Sequence, residues 1–161
     1  MTRVWLSLGS NIEPEKNLRA AIAELRARFG EIMVSSTCRT EAVGFEGPAF
    51  LNLAVGLETD CSAEALDTWL HALEVRHGRR RDVPRFSSRT LDVDIVLFGD
   101  QVVDGPGHLQ IPRDDLKHAF VLAPLAEIAG GAAHPVTGMT MAELWRAHPA
   151  HDEQRELVFL G

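Results

Sequence analysis

The sequence has few cysteines, no long apolar run and no excess of positive charge, and each absence excludes a class of protein. Cys38 and Cys61 lie outside any CxxC pattern, which argues against a zinc knuckle or a disulfide framework and favours reduced thiols. No stretch approaches the roughly 18 apolar residues of a membrane helix, and the first residues lack the pattern of a secretory signal. A net charge of -7 argues against a general nucleic-acid binder. We therefore expect a cytoplasmic protein that binds neither membranes nor nucleic acid.

The chain instead alternates strand-like and helix-like segments, and its length fits one domain over residues 1–161. Alternating apolar residues predict strands at 4–8, 31–37, 50–58 and 90–99. Helical spacing predicts helices at 14–29 and 62–78 between them. The order is βαββαβ, which predicts an α+β fold with a ferredoxin-like core, an antiparallel sheet flanked by helices. A C-terminal extension follows, for which we expect short helices near 124–129 and 140–147 and a final strand within 155–160.

Two aspartates, Asp92 and Asp94, lie one residue apart in the most strand-like stretch of the chain. Strand side chains alternate, so both carboxylates should point to one face with Cα atoms about 6.5 to 7 Å apart. The opposite face would then carry Leu91, Val93, Ile95 and Leu97. Carboxylates at this spacing can bind hard cations, including a magnesium pair about 3.5 to 4 Å apart. Taken alone, so short a motif favours a half-solvated strand with acids on its wet side.

An arginine cluster just before the aspartates favours the functional interpretation. Residues 76–89 contain six arginines and a single acidic residue. Neither GxxxxGK[ST] nor GxGxxG occurs, so charged side chains would have to form any phosphate site. Guanidinium groups beside metal-binding carboxylates match the needs of a polyphosphate. The combination predicts a nucleoside-triphosphate or other phosphate site rather than a solvated run of charge.

An acceptor for phosphate chemistry is suggested by the Gly-containing loop and strand at residues 40–52. Phe50 and Asn52 would lie on one face of the strand, where an aromatic ring and an amide could hold a flat heterocycle. Phe120 could cover the other side of such a ring. Core packing is the stronger alternative for these positions when they are considered singly.

Together these segments resemble the 6-hydroxymethyl-7,8-dihydropterin pyrophosphokinases of folate biosynthesis. The resemblance runs in order through LSLGSN at 6–11, CRTEAVGFEGPAFLN at 38–52, LEVRHGRRR at 73–81, RFSSRTLDVDIVLFG at 85–99 and FVLAPLAEIA at 120–129. The block from Arg85 to Val96 is the most diagnostic of these. The resemblance implies a Mg-dependent enzyme that transfers the β,γ-pyrophosphoryl group of ATP to the pterin hydroxymethyl oxygen and releases AMP. It also implies small-molecule substrates, and we expect a monomer.

The resemblance further implies roles for individual residues. Asp92 and Asp94 would hold two Mg²⁺ ions, and with Arg79 and Arg89 they would form the catalytic set. ATP would be bound by His71, Glu74, Arg79, Arg81, Phe86, Arg89, Ile95, His108, Arg113 and His118. The pterin would be bound by Thr40, Val43, Phe50, Asn52, Asp92 and Phe120.

Several nucleotide-side residues depart from the family pattern. Arg113 stands where a His usually follows the proline, and His118 stands where an Arg usually precedes the phenylalanine by two residues. His108 and His71 also stand where a well-known bacterial member of the family has Arg and Gln near the nucleotide. These departures leave open a diverged paralogue that binds a pterin with weak or altered nucleotide use. A metal-dependent phosphoesterase that uses the DxD motif without a pterin pocket is a third hypothesis.

Overall fold

The computed structural model describes residues 1–42, 46–78, 90–105 and 109–160. The strands are β1 (Thr2–Ser10), β2 (Met33–Val34), β3 (Thr37–Thr40), β4 (Phe50–Thr59), β5 (Asp92–Phe98), β6 (Val103–Asp104), β7 (Gln110–Ile111) and β8 (Glu156–Val158). The helices are α1 (Pro14–Phe29), α2 (Ala63–Arg76), α3 (Ala119–Ala129) and α4 (Met141–Arg146), and a 3₁₀ turn spans Asp114–Lys117. None of the helices in these ranges is long and apolar enough to cross a membrane.

The main sheet is antiparallel and has the strand order β5-β1-β4-β3-β8, with β2 also paired to β4. This order confirms the predicted ferredoxin-like core, because β1, β4, β5 and the β2–β3 segment occupy the four core positions. The extension adds β8 outside β3, which confirms the predicted final strand. β1 and β4 lie in the interior of the sheet, and most of their residues are buried.

Helices cover both faces of the sheet. Leu6, Leu53 and the apolar stripes of α1 and α2 form one buried cluster. Trp5, Ala54 and the apolar sides of α3 and α4 form a second cluster on the other face. The ring of Trp5 lies directly over Gly56, where a Cβ atom would approach the ring to within 2.2 Å. The alternating side chains of β1 thus pack into two cores, one on each side of the sheet.

The single strand predicted at 31–37 is wrong: the structure has two short strands, β2 and β3, and β3 extends to Thr40. Ser35 lies at the break between them. Its backbone N–H donates to the Ala54 carbonyl, whereas its hydroxyl, and not its carbonyl, accepts from the Ala54 N–H at 2.8 Å. The side chain therefore replaces one bond of the ladder and lets the backbone change direction.

The helix predicted near 124–129 begins earlier, at Ala119. Pro124 lies inside α3, where it cannot donate a hydrogen bond to the Phe120 carbonyl. The expected helix was therefore five residues too short at its start. α4 has the expected position, and a reciprocal capping box between Thr140 and Glu143 fixes its first turn.

A bulge in β5 changes the predicted side-chain pattern. Leu6 pairs with Ile95 and Trp5 pairs with Leu97, so Val96 is an extra residue in β5. The prediction that Leu97 shares a face with Val93 and Ile95 is wrong, because Leu97 packs in the cluster of α3 and α4. Asp92 and Asp94 precede the bulge, so the strict alternation still places both carboxylates on one face.

Candidate active site

A cross-strand row of residues defines the floor of the candidate active site. Gly9 in β1 pairs with Asn52 in β4 on one side and with Asp92 in β5 on the other. A Cβ atom on residue 9 would lie 2.7 Å from the Asn52 side-chain oxygen. The glycine therefore lets the Asn52 amide lie close over the β1 backbone, on the face of the sheet that also carries Asp92.

Asn52 is held in a defined orientation at this row. Its side chain is only 6% exposed, and its Nδ2 donates to the Thr40 hydroxyl at 2.7 Å. Thr40 pairs with Phe50 across β3 and β4, and Phe50 shares the Asn52 face by strand alternation. The structure thus brings together three residues predicted for the pterin side, whereas Val43 lies outside the described residues.

A methyl group at Gly9 should disturb ligand binding as well as stability. In Gly9→Ala, the Asn52 amide has to move and loses its bond to Thr40, which costs about 1 to 3 kcal/mol of unfolding free energy. We expect pterin affinity, measured by calorimetry, to fall about fivefold or more, since one hydrogen bond from Asn52 is worth about 1 kcal/mol or more. Gly131→Ala is the matched control, because no atom lies within 4 Å of a Cβ there. Unchanged pterin affinity in Gly9→Ala would contradict this view of the floor.

The aspartate pair lies beside this row. Asp94 pairs with Ser7, two residues along β1 from the pairing of Asp92 with Gly9. Burial, and then the neighbouring Asp92 carboxylate, raise the pKa of Asp94 well above its usual value, while Arg113 opposes the shift. Burial and mutual repulsion thus disfavour two negative charges at this place. A cation bound between the two carboxylates would stabilise both in their ionised form.

The donor set near the aspartates consists of carboxylate oxygens, which suit Mg²⁺ and other hard divalent cations. Among the described residues, no group of three or more His, Cys, Asp or Glu side chains is arranged to hold a metal. Mg²⁺ usually takes one or two protein carboxylates and completes its shell with water and substrate phosphates. Asp92 and Asp94 provide such a partial set of hard oxygen ligands.

Glu74 fixes the strand that carries the aspartates. It lies on the inner face of α2 and is 2% exposed, and its Oε2 accepts a hydrogen bond from the Val93 N–H at 2.7 Å. This N–H lies on the β5 edge that faces away from β1, between the two aspartates. Sequence reasoning placed Glu74 near the nucleotide and missed this contact. The available signal was a charged residue on the apolar side of a helix.

Arg113 lies beside Asp94, on the segment that follows β7. Its Nη2 is 3.9 Å from Asp94 Oδ1 and 3.2 Å from Asp115 Oδ2. Its backbone N–H donates to the carbonyl of Val96, so the chain after β7 is attached to the edge of β5. A residue predicted for the nucleotide side is therefore in direct contact with a predicted metal ligand.

The histidines predicted for the nucleotide side lie in different surroundings. His118 stacks on Phe120 with ring centroids 5.0 Å apart and an interplanar angle of 11°. His71 lies on α2, with its Nε2 3.5 Å from Asp67 Oδ1. The predicted residues Arg79, Arg81, Phe86, Arg89 and His108 lie outside the described ranges.

The contact predicted between Ile95 and the nucleotide cannot be made by the Ile95 side chain. That side chain is 3% exposed and packs in the cluster of α1 and α2, on the face opposite Asp94. The reason is the alternation of side chains along the strand, which places residue 95 on the face opposite the aspartates. Its backbone lies on the same outer edge of β5 as the Val93 N–H, by the alternation of the strand.

A family profile matches most of the chain. The profile of the family described as "7,8-dihydro-6-hydroxymethylpterin-pyrophosphokinase (HPPK)" matches residues 5–130. The chain belongs to this family. The match includes the row of Asn52, Gly9 and Asp92 together with Asp94, and it ends with α3. The segment that forms α4 and β8 lies beyond it.

Individual relatives extend over most of the chain. The 2-amino-4-hydroxy-6-hydroxymethyldihydropteridine pyrophosphokinase of Pseudomonas aeruginosa is 36% identical over 159 residues, covering 95% of this chain and 96% of the relative. The enzyme of the same name from Bacillus subtilis is 40% identical over 129 residues, covering 77% of this chain and 76% of the relative. These relatives are similar in both length and sequence.

Solved structures show the same fold at lower sequence identity. The chain matches Plasmodium falciparum HPPK-DHPS with a TM-score of 0.69 at 14% identity, over 91% of this chain and 41% of that longer chain. A second HPPK-DHPS structure, in complex with substrates, matches with a TM-score of 0.70 at 12% identity, over 91% of this chain and 42% of that one. At these identities the likeness concerns the fold alone.

Proposed function

We propose that the protein transfers the pyrophosphoryl group of ATP to 6-hydroxymethyl-7,8-dihydropterin, giving AMP and the pterin diphosphate of folate biosynthesis. The observation that carries this proposal is the row of Asn52, Gly9 and Asp92 with Asp94 beside it. Strands two positions apart in a sheet are separated by about 9 to 10 Å. A two-ring heterocycle with one exocyclic carbon can bridge that distance, with its ring end at Asn52 and its hydroxymethyl end at Asp92.

The pterin side of the reaction depends on orientation. In our proposal Asn52, held by Thr40, hydrogen-bonds the ring, while Phe50 and Phe120 stack against its faces. Asp92 accepts a hydrogen bond from the hydroxymethyl group and directs its oxygen toward the phosphate to be transferred. Holding the two reactants in this geometry removes much of the entropic cost of bringing them together.

The nucleotide side depends on charge. Asp92 and Asp94 would hold two Mg²⁺ ions, which when bound neutralise phosphate oxygens and orient the triphosphate. Glu74 holds β5 in place at the edge that faces away from β1. In our proposal the Ile95 backbone on the same edge contacts the nucleotide. We assign catalytic contacts with the triphosphate to Arg79 and Arg89, and further nucleotide contacts to His71, Arg81, Phe86, His108, Arg113 and His118.

A second candidate is a paralogue that binds the pterin but uses the nucleotide weakly or in an altered way. Two of the departures from the family pattern favour it. The Arg113 side chain already contacts Asp94 and Asp115, and the His118 ring already stacks on Phe120. An imidazole also lacks the planar fork of donors with which a guanidinium binds phosphate oxygens in pairs, so His118 is a weaker phosphate partner than arginine.

One assay separates these hypotheses. The full chain is incubated with ATP, Mg²⁺ and 6-hydroxymethyl-7,8-dihydropterin, and the nucleotides and pterins are separated by chromatography. We expect AMP and pterin diphosphate in equal amounts, with formation dependent on Mg²⁺. Pterin binding by calorimetry without AMP formation would favour the paralogue. Phosphate release without pterin binding would favour a phosphoesterase.

We also propose that residues 1–161 form one domain that acts as a monomer in the cytoplasm. Size-exclusion chromatography with light scattering tests the monomer directly. The cytoplasmic location remains a prediction from the reduced thiols and the lack of long apolar runs.

A further inference from the structure

Arg113 is attached to the protein beside the aspartates through both its backbone and its side chain. Its backbone N–H donates to the carbonyl of Val96 at 3.1 Å, which attaches it to β5 two residues beyond Asp94. Its side chain is 19% exposed, so most of the cation is enclosed by protein. The arginine is thus built into the edge of the aspartate site.

The carboxylates around Arg113 divide into two kinds. Asp94, with its Oδ1 3.9 Å from Arg113 Nη2, is a proposed metal ligand, whereas Asp115 at 3.2 Å lies on the adjacent 3₁₀ turn. The contact with Asp115 is a hydrogen bond, and the contact with Asp94 is a longer ion pair. An arginine keeps its charge at every accessible pH, so a unit of positive charge lies permanently beside the metal-binding face. Any cation that binds Asp94 must either tolerate this charge or displace it.

We propose that Arg113 is an internal counter-ion of the aspartate pair, which weakens metal binding to the nucleotide-free protein and makes strong metal binding depend on bound nucleotide. This inference rests on the proposed function only for the identity of the nucleotide. The guanidinium compensates part of the Asp94 charge when no ligand is present. A polyphosphate offers the guanidinium a better bidentate partner, so its arrival draws Arg113 away from Asp94 and opens the carboxylate to the metal.

The first test measures metal binding without nucleotide and without turnover. Mn²⁺ binding to the full chain is followed by electron paramagnetic resonance for the parent and for Arg113→Gln. We expect the substitution to tighten Mn²⁺ binding by about tenfold or more, because a full charge a few ångströms from the site is removed. Equal affinities for the two proteins would overturn the inference.

Two further variants establish that the charge of Arg113 is responsible. Arg113→Lys keeps the charge and should restore an affinity within about threefold of the parent. Lys117→Gln removes a cation from the same turn, where Lys117 pairs with the exposed Asp114, and should leave Mn²⁺ binding unchanged. An equal gain in Lys117→Gln would show a general charge effect and would overturn a specific role. If Arg113→Gln lowers the melting temperature, Arg113→Met repeats the test with an apolar stem.

The second test examines displacement by the nucleotide. With saturating α,β-methylene-ATP, which keeps the polyphosphate charge but resists transfer, the tenfold advantage of Arg113→Gln should disappear. An advantage that persists undiminished would show that Arg113 stays on Asp94 and would overturn the displacement step. Because neither measurement uses the transfer reaction, a failure of the proposed function would leave both outcomes interpretable.

Discussion

Asp94→Asn should lose at least about a hundredfold in AMP formation, because it removes a charged ligand from the face where the triphosphate has to be neutralised. The amide keeps nearly the same shape, so the loss reports charge and metal ligation rather than packing. Product formation by chromatography at saturating Mg²⁺ and ATP is the measurement. Asp100→Asn, the same substitution in the exposed turn just after β5, is the matched control and should retain parental turnover.

The same variant should be at least as stable as the parent when no ligand is bound. Burial and the Asp92 charge raise the pKa of Asp94, so the folded protein binds this proton more tightly than the unfolded chain does. The stabilisation linked to this proton is complete below the usual aspartate pKa and is lost as pH rises through the raised value. Thermal melts of the parent should therefore show a decline above about pH 4 that Asp94→Asn lacks. Near-parental turnover in this variant would contradict the metal assignment, whatever the melts show.

Glu74→Leu should damage both the stability and the activity of the protein. The substitution leaves the Val93 N–H without its Glu74 acceptor in a buried place, which costs about 1 to 3 kcal/mol of unfolding free energy. It also frees the edge of β5 between the two aspartates, so we expect kcat to fall by about tenfold or more. Urea denaturation and AMP formation are the two measurements.

Comparison with Glu74→Gln distinguishes the hydrogen bond from the charge. The glutamine amide oxygen can still accept from the Val93 N–H, so this variant should keep more of the stability than Glu74→Leu. Glu64→Leu, on the exposed first turn of the same helix, controls for helix propensity and should change neither quantity. If Glu74→Leu kept parental stability and turnover, the contact with β5 would have no positioning role.

Much of the fold followed from local patterns. The apolar spacing of α1 and α2, and the alternation in β1 and β4, predicted the βαββαβ order that the sheet confirms. The errors occurred where a local pattern was interrupted by a distant contact. Ser35 bonds to β4 and divides the predicted second strand, and the extra Val96 opposite β1 reverses the side on which Leu97 packs.

The sequence by itself determined that Asp92 and Asp94 share one face, because alternation is a property of a single strand and needs no partner. It also carried enough ordered motifs to indicate the family. Only the tertiary structure decided that Gly9 lies between Asn52 and Asp92, that Glu74 holds the edge of β5, and that Arg113 contacts Asp94. These relations depend on the register between strands and on helix packing, which join residues far apart in the chain and leave no periodic signal in any one segment.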